Sequence, residues 1–192
     1  MYTTDRLVIR AFKPADAAWI EKMLNDVSVQ SLTDPCHIQP APAHKVEAVL
    51  KVLTGAYFFG IVALKDSAEA GPMGYVFLRG AEDVVKNRTV MLGLAIDPKF
   101  QGMGYGTEVT RFVVDWSFRD GGLHRIWLGV YGNNGAAKKV YEKAGFVQEG
   151  VVRKTNWREG RWWNSTLMGI LEEDWEKDAS YHKVAVQKEG VI

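Results

Sequence analysis

The sequence predicts one α/β domain built on a mixed, mostly antiparallel sheet of about seven strands flanked by about four helices. Three observations carry that prediction. Strand-like runs rich in β-branched and aromatic residues alternate with stretches of helical apolar spacing along the chain. A glycine-rich turn, Gln101-Gly102-Met103-Gly104-Tyr105-Gly106, lies between one such strand and one such helix. The 192 residues, 47% hydrophobic and 24% charged, suit a single folded core. That domain is expected to span residues 1–175, with 176–192 as a carboxyl-terminal tail that is either mobile or an oligomer contact.

Residues 5–12 alternate around Leu7, Ile9 and Ala11, as in a strand with one wetter face. Pro14 reads as a helix start, and Trp19, Ile20, Met23 and Leu24 give the stretch Ala15 to Asn25 one apolar face. A second helix is predicted from His44 to Leu53 through Val46, Val49 and Leu50. The polar segment between these helices contains Pro35, Pro40 and Pro42, so a loop without regular structure is expected there. Tyr57 to Lys65, Gly74 to Arg79 and Thr89 to Ile96 read as three strands of an antiparallel meander.

After Pro98 the period changes. Val109, Phe112, Val113 and Trp116 mark a helix from Thr107 to Arg119 that Gly121-Gly122 ends. Arg125 to Tyr131 is a strand, and Asn134 to Ala144 is a helix closed by Gly145. Phe146 to Lys154 and Trp163 to Leu171 are the last strands, joined by a turn at Arg158-Glu159-Gly160. Repeats and low-complexity tracts are absent from the sequence.

Charge and composition exclude several functions. Twenty-four Lys and Arg against 23 Asp and Glu leave a net charge of +1, too little for a nucleic-acid or anionic-membrane footprint. No apolar run approaches the roughly 18–20 residues of a membrane span, and the first residues lack the pattern of a secretion signal. The single cysteine, Cys36, forms no internal disulfide, so a cytoplasmic setting is expected. His37, His44, His124 and His182 show no ligand spacing, and no metal is assigned.

The glycine-rich turn is the segment that carries chemistry. A strand-to-helix turn of this kind aims backbone N–H groups at one point, where the helix dipole favours an anion such as a pyrophosphate. A dinucleotide fingerprint requires Gly-x-Gly-x-x-Gly, whereas Gly102, Gly104 and Gly106 alternate. A P-loop requires Gly-Lys followed by Ser or Thr, whereas Gly106 precedes Thr107 and Glu108.

Gln101, Gly104 and Gly106 instead match the acetyl-coenzyme A signature of the GNAT N-acetyltransferases: Gln or Arg, two residues, Gly, one residue, Gly or Ala. The resemblance runs back through Leu92-Gly93-Leu94-Ala95-Ile96-Asp97-Pro98. It runs forward through Asn134, Ala137, Tyr141, Gly145 and Phe146, which reproduce Asn-x-x-Ala-x-x-x-Tyr-x-x-x-Gly-Phe. Arg6 to Arg10, Arg158 to Asn164 and Leu167 to Leu171 further resemble the subgroup containing ribosomal-protein and spermidine acetyltransferases.

This resemblance implies acetyl-coenzyme A as cosubstrate and a primary amine as acceptor, either a small molecule such as a polyamine or a protein amino terminus. It implies that backbone groups at Leu94, Ala95 and Ile96 hold the pantetheine. The loop Gln101, Gly102, Met103, Gly104, Tyr105, Gly106 and Thr107 would hold the pyrophosphate, with Asn134 and Ala137 near the cofactor arm. Tyr141 matches a tyrosine that in many relatives protonates the leaving sulfur, although its helical spacing also suits a core tyrosine.

Where many relatives carry a Glu on the fourth strand, this chain has Met91, and Glu82, Asp83 and His124 are substitutes that the sequence does not place. A catalytically silent acyl-coenzyme A-binding sensor or interaction module is therefore the alternative function. Trp157, Trp162 and Trp163 read either as an acceptor wall or as a packing or homodimer contact, and Asn164 stands where many subgroup members have Asp. The segments Asp34 to Pro42 and Ala81 to Arg88 are candidate lids, and Lys138 and Lys139 are candidate phosphate contacts.

Overall fold

The computed structural model describes residues 1–33, 37–65, 71–80 and 84–181. These residues form strands β1 (Tyr2–Thr3), β2 (Leu7–Arg10), β3 (Phe58–Leu64), β4 (Gly74–Arg79), β5 (Thr89–Ile96), β6 (Arg125–Tyr131), β7 (Val147–Arg158) and β8 (Arg161–Leu171). The helices are α1 (Ala17–Leu24), α2 (Val27–Thr33), α3 (Ala43–Thr54), α4 (Val84–Asn87), α5 (Tyr105–Arg119), α6 (Gly135–Lys143) and α7 (Glu172–Lys177). The elements beyond the predicted set are the two-residue β1 and the short α2, α4 and α7.

The described residues gather into two compact units, one of residues 1–78 with 94–105, the other of 79–93 with those from 106 onward. In the first, β1 to β4 are joined successively as antiparallel neighbours, with Tyr2 opposite Ile9, Leu7 opposite Leu64 and Ile61 opposite Tyr75. Ile20 and Met23 of α1, Val29 of α2 and Leu53 of α3 pack with Ile61, Tyr75 and Ala95. Arg10 fastens the turn before α1, because Nη1 and Nη2 each donate to Asp16 at 2.8 Å while the Lys13 N–H donates to the same carboxylate.

The segment between α1 and α3 was expected to be a loop, yet α2 forms there. Two local features outweigh its poor composition. Asp26 Oδ1 accepts from the Ser28 and Val29 N–H groups at 2.9 and 3.2 Å, capping the helix start. Buried Gln30 donates to the carbonyls of Leu24 and Gln39, tying the helix to chain on either side.

In the second unit, β5 begins parallel to β6 and the ladder comprises the pairs Thr89–Arg125, Val90–Ile126 and Met91–Trp127. β6 remains antiparallel to β8 through all seven of its residues, from Arg125–Leu171 to Tyr131–Ser165. β7 and β8 form the terminal hairpin, turning at Glu159 and Gly160 with φ of 54° and 73°. Trp175, the last residue of the expected domain, donates from Nε1 to Asp115 Oδ1 at 3.1 Å, and within the segment expected as tail the Tyr181 hydroxyl donates to the Ala144 carbonyl at 2.7 Å. The rest of that tail, 182–192, lies outside the described residues.

Candidate active site

The first unit carries the turn that follows β5. Asp97 caps it by accepting from the Lys99 N–H at 3.0 Å, and Gln101 Nε2 reaches back to the Ile96 carbonyl at 2.9 Å. Gly102 and Gly104 then take φ of 77° and 84°, conformations that an L side chain resists. A Cβ built on Gly102 meets nothing within 4 Å, so the loop presents bare backbone. Helix α5 starts at Tyr105, and the N–H groups of its first turn have no partner within the helix.

Arg6 holds this loop from a distance of 97 positions in sequence. Its Nη1 donates to the Met103 carbonyl at 3.0 Å, and its guanidinium lies 4.5 Å from the centre of the Tyr105 ring. Sequence reasoning assigned Arg6 no role, since nothing near residue 6 signals a partner near 103. Of the three predicted β5 residues, Ala95 is buried in the core of this unit, while Leu94 and Ile96 point the other way along the strand and are half-buried.

The second unit carries Gly106, Thr107, Asn134, Ala137 and Tyr141. Beyond the Met91–Trp127 pair, β6 keeps its hydrogen-bonding edge toward β8 while its ladder with β5 has ended. The turn after β6 leads into α6, where Asn134 Oδ1 accepts from the Ala137 N–H at 3.1 Å. Asn134 is thus the helix cap, a role that the predicted Asn-x-x-Ala spacing supports. Tyr141 is 8% exposed, and its ring packs tilted on Phe146 at 5.7 Å between centroids. Burial pushes its phenol up to about 12 from the ordinary 10.0, so it holds its proton throughout the neutral range.

The remaining sequence candidates separate. Met91 sits at the last parallel pair, and His124 precedes the opposite, closed end of that ladder, exposed and with its N–H and carbonyl bonded to Arg88 and Glu172. Glu82 and Asp83 lie outside the described residues. Within the lid candidates, residues 34–36 and 81–83 also lie outside them, while Gln39 and Ala41 are bonded to Gln30 and Asn25. Lys138 donates to Gln148 Oε1 at 3.1 Å. Asn164 accepts from the Lys154 N–H at 3.0 Å, which holds the bulge of β7 where Lys154 has φ of 53°. Trp157 and Trp162 pair edge to face at 5.2 Å and are both exposed, whereas Trp163 faces the other way beneath Arg161.

The sequence model of the acetyltransferase (GNAT) domain family matches residues 6–147. The chain belongs to the GNAT acetyltransferase family. Within that family it is 36% identical over 122 residues to the probable N-acetyltransferase YjcK of Bacillus subtilis, covering 63% of this chain and 65% of YjcK. It is 33% identical over 86 residues to the spermidine N(1)-acetyltransferase of Vibrio cholerae, covering 45% of this chain and 50% of that protein. The alignments thus span between half and two thirds of these relatives. The crystal structure of the Vibrio cholerae spermidine N-acetyltransferase, in complex with CoA and spermine, superposes with a TM-score of 0.75 at 24% identity. That superposition covers 91% of this chain and all of the other, so the GNAT fold, mixed and mostly antiparallel, is the fold of this chain.

Among the described residues, no cluster of side chains suits a metal ion, and no helix is long and apolar enough to cross a membrane. The residues present suit acetyl-coenzyme A. Bare backbone at Gly102, left-handed turns at Gly102 and Gly104, and the start of a fifteen-residue helix together accommodate a pyrophosphate.

Proposed function

We propose that the chain transfers an acetyl group from acetyl-coenzyme A to the nitrogen of a small primary amine. The observation that carries this reading is Tyr141: a buried phenol, protonated at neutral pH, at the position where the family motif has its proton donor. Acetyl-coenzyme A supplies an activated acyl group whose C–S bond breaks as the acceptor nitrogen bonds to the carbonyl carbon. N–H groups from Gly102 to Thr107 hold the pyrophosphate, and strand backbone at Leu94 and Ile96 orients the pantetheine amides.

Tyr141 Oη delivers a proton to the departing sulfur, and the proton shed by the amine returns to the phenol through solvent. A phenol near 12 is a weak donor toward a thiolate whose ordinary value is about 8.5. Desolvation beside the phenol would shift a thiolate in the same upward direction, which favours its protonation. Met91 gives no carboxylate for deprotonating the amine, so proton removal falls to water, with orientation supplying much of the acceleration. The spermidine acetyltransferase likeness supports a small amine over a protein amino terminus.

The test is thiol release from acetyl-coenzyme A by the purified chain with separate pools of small amines, polyamines and peptides, with products identified by mass. Acceptor-dependent release of thiol with an acetylated amine supports the reading. Binding of acetyl-coenzyme A without product from any pool favours the silent sensor, the reading to which Met91 lends weight.

A further inference from the structure

The tip of a terminal hairpin ordinarily keeps its polar side chains in water. In β7–β8 the arrangement is reversed. Cross-strand pairs Asn156–Trp163 and Arg158–Arg161 place these four residues on one face, and the pair Trp157–Trp162 places its rings on the other. The tryptophan face is open, with Trp157 51% and Trp162 54% exposed, while Asn156 and Arg158 are 3% and 8% exposed.

On the covered face, Asn156 Nδ2 and Trp163 Nε1 are out of reach of solvent and have no hydrogen-bond acceptor among the described residues. The neighbouring hydroxyls do not supply one, since Thr155 and Ser165 bond each other at 2.6 Å. An indole N–H and a guanidinium donate only, so the face is rich in donors and calls for an oxygen-bearing anion. Arg158 brings the positive charge, with Nη1 donating to the Trp157 carbonyl at 3.0 Å.

The position of this face in the second unit is equally informative. Gly132 donates to the Asn164 carbonyl at 2.8 Å, and a Cβ on Gly132 would lie 3.2 Å from the Trp163 ring. Trp163 therefore rests against the turn that joins β6 to the α6 cap, at the end of β6 that extends beyond the last β5–β6 pair, Met91–Trp127. Met168 and Ile170 of β8 face α6, because a Cβ on Gly145 would lie 3.2 Å from Ile170. Odd-numbered Trp163 and Ser165 belong to the opposite face, with Trp127, Gly129 and Tyr131 of β6. A ligand held there approaches the end of β6 from the side opposite the Tyr141 helix.

We propose that Asn156, Arg158 and Trp163 bind the carboxylate of the amine acceptor, so that the substrate class is an amino acid or another amine bearing a carboxylate. This rests on the acetyl-transfer reading above. An unadorned polyamine leaves Asn156 Nδ2 and Trp163 Nε1 unanswered.

The test reads the Trp163 indole N–H by proton–nitrogen NMR, its resonance assigned as the one missing in Trp163→Phe. Amino acids are titrated in pairs with their decarboxylated amines, lysine with cadaverine and ornithine with putrescine, with acetate as a bare carboxylate. The carboxylates are expected to shift the resonance saturably, and the amines to bind about tenfold or more weakly. Arg158→Met abolishes the shift while Arg158→Lys retains part of it, and Asn156→Ala serves if Arg158→Met melts. No response to any carboxylate, or equal response to both members of each pair, overturns the site. Thiol release is followed in the same samples. Carboxylate binding without thiol release supports the site and retires acetyl transfer, while thiol release with polyamines and a silent indole supports transfer and overturns the site.

Discussion

Replacing Tyr141 by Phe separates chemistry from packing. The ring stays on Phe146, at 5.7 Å, and only the hydroxyl is lost. If that hydroxyl is the proton donor, turnover falls about 10²- to 10⁴-fold, the usual range for a positioned acid, while the Kd for acetyl-coenzyme A changes less than about threefold. Burial supplies a second, independent readout. The folded-state value of about 12 exceeds the ordinary 10.0. Between these values the unfolded chain sheds the proton and the folded one keeps it. Stability therefore falls as pH rises through that window, by about 1.4 kcal/mol per unit or roughly 3 kcal/mol in all. Tyr181, pushed higher still by burial, adds a decline of the same sign that persists in the variant. Urea melts at pH 8 to 11 and steady-state thiol release on wild type and Tyr141→Phe make the comparison. Unchanged turnover refutes the donor role, and an alkaline decline identical in both proteins refutes the burial argument.

Other outcomes follow from the same geometry. Gly104→Ala must hold φ of 84°, which costs an L residue about 1–2 kcal/mol, so calorimetry should show acetyl-coenzyme A binding weakened about tenfold; an unchanged Kd contradicts the loop assignment. Gly74→Ala drives a Cβ to 2.7 Å from the Ala95 carbonyl, a backbone atom, and should cost about 3 kcal/mol in urea melts. Gly169→Ala meets the side-chain ends of Glu149 and Arg125, which swing away, so the loss is that of a half-exposed ion pair, under about 1 kcal/mol. Equal losses in the two variants would contradict the distinction. The Arg10 bond holds the Asp16 carboxyl below the ordinary carboxylate value, so its stabilisation is present at neutral pH and fades as pH falls through the acid range. Asp16→Asn should abolish that component and lower stability by about 1.5–3 kcal/mol at pH 7.

Much of this molecule is legible in its sequence where local chemistry decides. The strand Arg125–Tyr131 coincides with the prediction because its alternation is written in the residues. Helix α6 begins after Asn134 and ends before Gly145 for the same reason. The predicted Arg158-Glu159-Gly160 turn is tighter than expected, since β7 runs on through Arg158 and β8 begins at Arg161, with Gly160 at positive φ. Helix α2 was missed because its stability comes from Gln30 bonding carbonyls at positions 24 and 39, contacts that no periodicity encodes. The bond of the Tyr181 hydroxyl to Ala144, far back in the chain, is likewise not encoded in local spacing. Among candidate site residues, the glycine turn and Tyr141 follow from motif spacing. The grip of Arg6 on Met103, and the polar face at Asn156 and Trp163, emerge only when distant strands are in register.

The most direct test of the account is acceptor-dependent thiol release from acetyl-coenzyme A, read on wild type and Tyr141→Phe with acetylated product confirmed by mass. The account predicts an acetylated small amine from wild type and at least a hundredfold slower formation by the variant, at equal acetyl-coenzyme A binding. Product formed at the same rate by both proteins, or thiol release that is independent of any amine, would contradict it.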